Sequence, residues 1–387
     1  MKTVVLPEVA EIVMGQSPPS NTYNTLGEGL PFFQGKTDFG EMYPRVRMYC
    51  SAPNKIAVKG DILISVRAPV GPTNLCQERS CIGRGLGAIR PSDRVNGQYL
   101  LYFFRYYEPQ ISQASKGSTF DAITKDDLKR IPLPLPSLPE QQRIAGILSR
   151  ADRLRQLRRY ALAMSDGYLQ SVFLEMFGDP ATNPMGWEVK ILQELIDRFE
   201  AGINLPLVSE GSPASHWRVL KVSAVTWGDF NPLESKAIKA DVMPNDSWVV
   251  KEGDLLMSRA NTTELVGAVS IVRRQPPRVL LPDKLWRLCL PEEGFLVLAD
   301  YLLHVLRQRE LRRNIGVLAT GSSGSMKNIS MNKAATLPIP VPPLEIQERF
   351  VQVTSDFERL RAQQREALRQ AEHLFQTLLH GAFRGEV

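Results

Sequence analysis

The sequence predicts an α+β fold written twice: two homologous globular parts held apart by two long helices, which pack as an antiparallel coiled coil with an internal pseudo-two-fold repeat. Three observations predict it. "IPLPLPSLPEQQRI" (Ile131 to Ile144) returns as "LPIPVPPLEIQERF" (Leu337 to Phe350) at an offset of 206. That register runs on without a gap, from Leu154 to Leu360 and from Phe177 to Phe383. After each copy, apolar residues recur alternately three and four apart for about four heptads, the spacing of a coiled-coil seam.

Upstream of the two phrases the globular parts match more weakly. "LPEVAEIVMGQ" from Leu6 resembles "LQELIDRFEAGI" from Leu192, "GDILISVRA" from Gly60 resembles "GDLLMSRA" from Gly253, and "YLLYFFRYYEPQ" from Tyr99 resembles "YLLHVLRQRELR" from Tyr301. The offset grows from 186 to 206, so the second copy has gained residues between matched elements, where surface loops tolerate them. The boundaries that follow are 1–138 and 179–343 for the globular parts, with long helices over 139–178 and 344–387.

Each proline phrase has proline on alternate positions, which predicts an extended, non-pairing lead into the helix. Ser137 and Glu140 have the spacing of a capping box, and Gly178 with Pro180 marks the end of the first helix. The first seam is Ile144, Ile147, Ala151, Leu154, Arg158, Ala161, Ser165, Tyr168 and Val172. The second is Phe350, Val353, Phe357, Leu360, Gln364, Ala367, Ala371, Leu374 and Leu378. Arg158 and Gln364 interrupt the two at the same place, as polar residues that set register do. Helices of this length span roughly 55 Å at 1.5 Å per residue.

Composition narrows the class. The four cysteines form no CxxC pair and only four histidines accompany them, which argues against a structural zinc site. The N-terminal stretch has no signal-peptide core, and no apolar run approaches the roughly 20 residues of a membrane span. A cytoplasmic protein with no membrane association is expected. The net charge of +6 comes wholly from residues 1–178, a balance compatible with nucleic acid as a partner.

A search for catalytic patterns finds little. "GEGLPFFQGKT" has five residues between Gly29 and Gly35, where a phosphate loop needs four, and places Pro31, Phe32 and Phe33 where exposed amides belong. Glu188-Val189-Lys190 and Glu234-Ser235-Lys236, with Asp179 and Asp229 upstream, match part of a metal-nuclease pattern, but neither recurs in the other copy. A stand-alone metal-dependent nuclease and a coiled-coil protein scaffold are the alternative readings. The first predicts DNA cleavage by the chain alone, the second no sequence-selective DNA retention. The expectation is a non-catalytic chain with no metal site of its own.

The duplicated module, the proline joint, the "EQQRIAGIL" helix start and the "LQSVFLEMFGD" helix end resemble the specificity subunit of Type I restriction-modification enzymes over nearly the whole chain. "GQSPPSNTYN", "GDILISVRAPVG", "ASKGSTFDAITKDDLKRIPLPLPSLPEQQRI" and "MGWEVKILQEL" look like stretches of that family. One departure is Ile346, where the first copy has a polar residue. The resemblance implies that each globular part is a target recognition domain reading half of a bipartite double-stranded DNA site. It implies that the helix pair sets the gap and docks two methyltransferase subunits, which restriction and translocase subunits join. S-adenosylmethionine, ATP and Mg²⁺ would belong to those partners, with no cofactor in this chain.

The resemblance transfers no base-contacting residues, so these are chosen by chemistry. Lys116, Gly117, Ser118 and Thr119 in one loop are answered by Thr320, Gly321, Ser322, Ser325 and Lys327 in the other half; small residues let backbone amides approach phosphate, and lysine adds charge. Arg67 is answered by Arg259 and Asn261, side chains able to make paired contacts with guanine and adenine edges. Gln34, Lys36, Arg84 and Lys221 complete the candidates.

Overall fold

The computed structural model describes residues 2–115, 122–165, 167–208, 214–321 and 326–386. The chain divides into two compact units: one runs to Ala163 and takes up the chain again from Ala362, the other is Met164–Arg361. Each unit therefore contains one globular part and a piece of both long helices.

The first unit holds a four-stranded antiparallel sheet in the order Ala10–Met14, Leu86–Pro91, Ile62–Ser65, Thr73–Leu75. The central strand "ILIS" is buried on both faces, which is why it lacks polar alternation. Helix Gly97–Ser115 starts where the Asn96 side chain accepts the Tyr99 amide at 3.0 Å. It supplies Tyr99 through Phe104 to the core. The second unit repeats the order with Arg198–Ala201, Leu285–Cys289, Leu255–Ser258 and Val269–Ile271. Its matching helix comes as two pieces, Ala299–Leu306 and Arg309–Leu318.

The proline phrases do pair, contrary to the sequence expectation. Pro132–Pro134 lies antiparallel to Thr3–Val5, and Pro338–Val341 to Glu188–Ile191. The Leu135 amide donates to Lys2 O at 2.8 Å. Alternate prolines leave the intervening residues' amides for one edge and put no donor on the other, so the strand pairs on one side only.

A buried glutamine then clasps each joint. Gln141 accepts the Asn96 amide at 2.8 Å and donates to Pro136 O at 2.9 Å. Gln347 accepts the Leu298 amide at 2.9 Å and donates to Pro342 O at 2.8 Å and Leu296 O at 3.0 Å. Beside the clasps, Tyr99 Oη donates to Pro134 O at 2.8 Å and Tyr301 Oη to Pro340 O at 2.6 Å. These bonds satisfy backbone groups that the prolines and the helix start leave without intrahelical partners. Glu140 does not reach back to the helix start; Arg143 holds both of its oxygens, at 2.9 and 2.7 Å.

The long helices differ from expectation in two ways. The first is interrupted: it stops at Met164 and resumes over Tyr168–Phe177. The Tyr168 amide turns back to Ser165 O at 3.2 Å, and Gly167 is among the poorest helix formers. The second runs unbroken from Leu344 to Arg384. The buried stripe also departs from the heptad seam. Ile144, Ala151, Phe350, Phe357 and Ala371 are buried, and Ile147, Val172, Val353, Ala367 and Leu378 are half-buried. Leu154, Ala161, Tyr168, Leu360 and Leu374 are exposed. Leu148, Asp152, Phe173, Phe177, Phe375 and Leu379 are buried instead. Toward the C-terminus the buried positions step by four (Ala371, Phe375, Leu379, Phe383), because these helix ends pack onto globular parts as well as onto each other. A straight helix drifts about 20° per heptad from a 3.5-residue seam.

Within each unit the helix pieces run antiparallel. In the first, the Arg155 guanidinium lies 4.1 Å from the Phe375 ring centre, and Arg159 reaches Glu372 at 2.6 Å. In the second, Tyr168 stacks on Phe357 at 5.0 Å, while Phe173 and Phe177 meet Phe350 at 5.6 and 5.3 Å. No helix among the described residues is long and apolar enough to cross a membrane.

His304 lies inside this aromatic cluster, its ring 5.0 Å from that of Phe350. Burial, with Arg307 adding to it, pushes its pKa down to about 4. The folded imidazole stays neutral where the unfolded one, near 6.5, is charged, so its contribution is complete above that value and is lost as pH falls toward 4. At pH 5 the loss is about 2 kcal/mol. Urea denaturation at pH 7 and pH 5 is expected to show a smaller acid penalty, by about that amount, in His304→Phe than in the unsubstituted chain.

Candidate nucleic-acid interface

In the first unit three separate stretches of sequence converge on one open cleft of about 580 Å³ that contains Gln34, Lys36, Arg67 and Arg84. The first stretch follows strand Leu30–Phe33. Buried Asp38 accepts the amides of Gln34 and Gly35 at 2.7 and 3.3 Å, which fixes the backbone and leaves the Gln34 and Lys36 side chains exposed. The second stretch leaves strand Ile62–Ser65: Ser65 Oγ donates to Arg67 O at 3.0 Å, and Arg67 bridges to Ala122.

The third is the turn Gly83–Arg84–Gly85. A Cβ on Gly85 would stand 2.3 Å from Gln34 O, and one on Gly15 would stand 2.2 Å from Gly83 O. Only glycine lets these backbones close up. The Arg84 amide donates to Ser17 Oγ at 3.3 Å, so the guanidinium sits on a turn anchored through its backbone. Among the described residues, Lys36, Arg67 and Arg84 have no carboxylate within ion-pair distance. Ser17 and Thr37 also line the cleft and were not among the candidates; neither carries a charge or pattern that marks it in sequence.

In the second unit the candidates are more engaged with their own protein. Asn261 pairs across a two-stranded ribbon with Lys327. Its Nδ2 donates to Thr226 Oγ1 at 3.3 Å, and Lys327 Nζ donates to Gly321 O at 2.9 Å. Thr320 exchanges backbone hydrogen bonds with Asn328, both 2.8 Å. Lys221 reaches Glu234 at 3.3 Å, and the Ser223 hydroxyl, at 2.6 Å, together with that ammonium holds the Glu234 carboxyl below the usual range. Lys116, Gly117, Ser118, Thr119, Ser322 and Ser325 lie outside the described residues.

The backbone hydrogen bonds correct one sequence equivalence. The Ile123 amide donates to Val66 O and the Ile329 amide to Arg259 O, both at 3.0 Å. The Val66 amide donates to Gly85 O at 2.9 Å and the Arg259 amide to Lys284 O at 3.0 Å. Arg259 therefore stands where Val66 stands, and Arg67 is answered by Ala260. The length difference lies after Ser65 and Ser258, which accept from Gly71 and Gly267, not within the strand. A one-residue shift turns the side chain to the other face: Arg67 is exposed, whereas Arg259 has a buried Nε. By the same bonds, Arg84 is answered by Asp283.

Glu188 and Lys190 bind each other at 2.7 Å on a paired strand, and Glu234 is held as described. Among the described residues no group of three or more His, Cys, Asp or Glu side chains could hold a metal ion.

Residues 1–161 match the family described as Type I restriction modification DNA specificity domain. A Methanocaldococcus jannaschii protein, named as the MjaX type I restriction enzyme specificity subunit, is 47% identical over 150 residues. That match covers 38% of this chain and spans only about a third (35%) of the relative's length. The EcoKI specificity subunit of Escherichia coli is 23% identical over 325 residues, covering 79% of this chain and 68% of that protein. Among solved structures, the Type I restriction-modification S subunit from M. genitalium shares the fold, with a TM-score of 0.59 at 13% identity, covering 99% of this chain and 96% of that one. Residues 1–161 therefore carry the likeness to that specificity domain, and the chain along almost its full length shares the fold of that S subunit.

Proposed function

We propose that the chain is the non-catalytic DNA-specificity subunit of a Type I restriction-modification complex. Residues 1–138 read one half of a bipartite duplex target and residues 179–343 the other. Residues 139–178 and 344–387 set the gap and dock two methyltransferase subunits, with restriction and translocase subunits joining them. S-adenosylmethionine, ATP and Mg²⁺ serve the partner subunits.

The observation that carries this reading is the convergence of Gln34, Lys36, Arg67 and Arg84 on one cleft. Three cations that form no ion pair among the described residues, beside an exposed amide side chain, are the chemistry that phosphates and base edges require. Exposed Leu157 and Tyr160 on the first long helix leave apolar surface for a docked subunit to cover.

The test is methylation by the complex assembled with its methyltransferase partner. Modification is expected only at a two-part motif. Excising seven residues from each long helix removes about 10 Å and is expected to shorten the permitted gap by about three base pairs, with both half-sequences kept. An unchanged gap refutes the spacer role, and methylation without a bipartite motif refutes the whole reading.

A further inference from the structure

We infer that the position occupied by Arg84 in the first unit and Asp283 in the second determines specificity in both: Arg84 selects a guanine, and Asp283 selects a base that presents an amino group. The inference rests on the reading of the chain as a DNA-specificity subunit, and it adds which residue discriminates in each half and for what chemistry.

The two residues share one backbone location, fixed by the matching bonds from Val66 to Gly85 and from Arg259 to Lys284. Both precede the residue that accepts that bond, on the turn leading into the sheet's second strand. Glycine closes the turn against the first strand in both units. A Cβ on Gly15 would lie 2.2 Å from Gly83 O, and one on Gly202 would lie 1.8 Å from Leu281 O. A glycine of the first strand thus closes against this turn in both units, at positions one residue apart, while the side chain differs in charge.

Arg84 is exposed, lines the cleft and has no ion-pair partner among the described residues. Asp283 is half-exposed and likewise has no hydrogen-bond or ion-pair partner among them. A fixed backbone carrying an unengaged guanidinium in one half and an unengaged carboxylate in the other suits reading rather than holding. A guanidinium can donate twice to guanine O6 and N7, and a carboxylate accepts from cytosine N4. The neighbouring candidates fit this role less well, since Arg259 buries its Nε and Lys221 is bound to Glu234.

The experiment maps methylation of a randomised plasmid library by the complete methyltransferase complex carrying the unsubstituted chain, Arg84→Ala, Arg84→Lys or Asp283→Ala. Arg84→Ala is expected to relax one G·C position of one half-site by about 10- to 100-fold, leaving the other half-site and the gap strict. Arg84→Lys keeps the charge without the paired donors and is expected to relax the same position. Asp283→Ala is expected to relax one position of the opposite half-site. The half-site left strict in each variant reports that the assembly is intact.

If Arg84→Ala lowers methylation of all sequences uniformly, or if both substitutions relax the same half, the inference is overturned while the subunit reading stands. If the unsubstituted complex shows no bipartite motif, the subunit reading falls and the inference with it.

Discussion

Replacing Asp152 with alanine is expected to destabilise the first unit by about 3–5 kcal/mol. Asp152 is 1% exposed, and its carboxylate accepts from Arg105 at 2.7 Å, Arg155 at 2.6 Å and Tyr102 Oη at 3.3 Å. Arg105 comes from the helix of the globular part and Arg155 from the long helix, so one anion ties both elements together. Removing it strands two arginines whose side chains are only 12% and 14% exposed. Asparagine keeps an acceptor but not the charge and is expected to fall between. All five tryptophans lie at or beyond Trp187, in the second unit, so their fluorescence does not report this loss. Hydrogen exchange in Gly97–Ser115 does, and protection there equal to that of the unsubstituted chain would refute the role.

Phe350→Ala is expected to act on the other unit with comparable force, about 3–5 kcal/mol. Phe350 is fully buried where Phe173, Phe177 and His304 meet it edge-on at 5.6, 5.3 and 5.0 Å. Its removal opens a cavity between the two helix pieces and the globular part, where rigid rings cannot collapse inward. Here tryptophan fluorescence during urea unfolding is the direct measurement. A midpoint unchanged from that of the unsubstituted chain would mean that the helices do not rely on this cluster.

Much of the architecture is legible in the sequence because the chain repeats itself. Pro134 with Pro340, Tyr99 with Tyr301 and Gln141 with Gln347 align by eye, and each pair makes matching hydrogen bonds. What escapes is set by tertiary contact. The pairing of the proline strands needs Thr3–Val5 and Glu188–Ile191, distant in sequence and unmarked. The seam is misread at Leu154, Leu360 and Leu374 because a heptad pattern assumes that each helix faces only its twin, whereas Phe375 and Phe383 face Tyr102 and Tyr99. Gln34, Lys36, Arg67 and Arg84 are identifiable as exposed polar residues, yet nothing linear places them together. In sequence Arg259 aligns with Arg67 because a gap costs nothing there; on a strand it reverses the face.

The aromatic residues that finish the N-terminal core include Phe375 and Phe383, which are synthesised after the whole of the second globular part. On the ribosome, the half made first cannot close until residues beyond Arg361 have emerged, while the half made second needs nothing beyond Arg361. Birth order and completion order are thus reversed, and a chain cut short after residue 361 would leave its earliest-made half permanently unfinished.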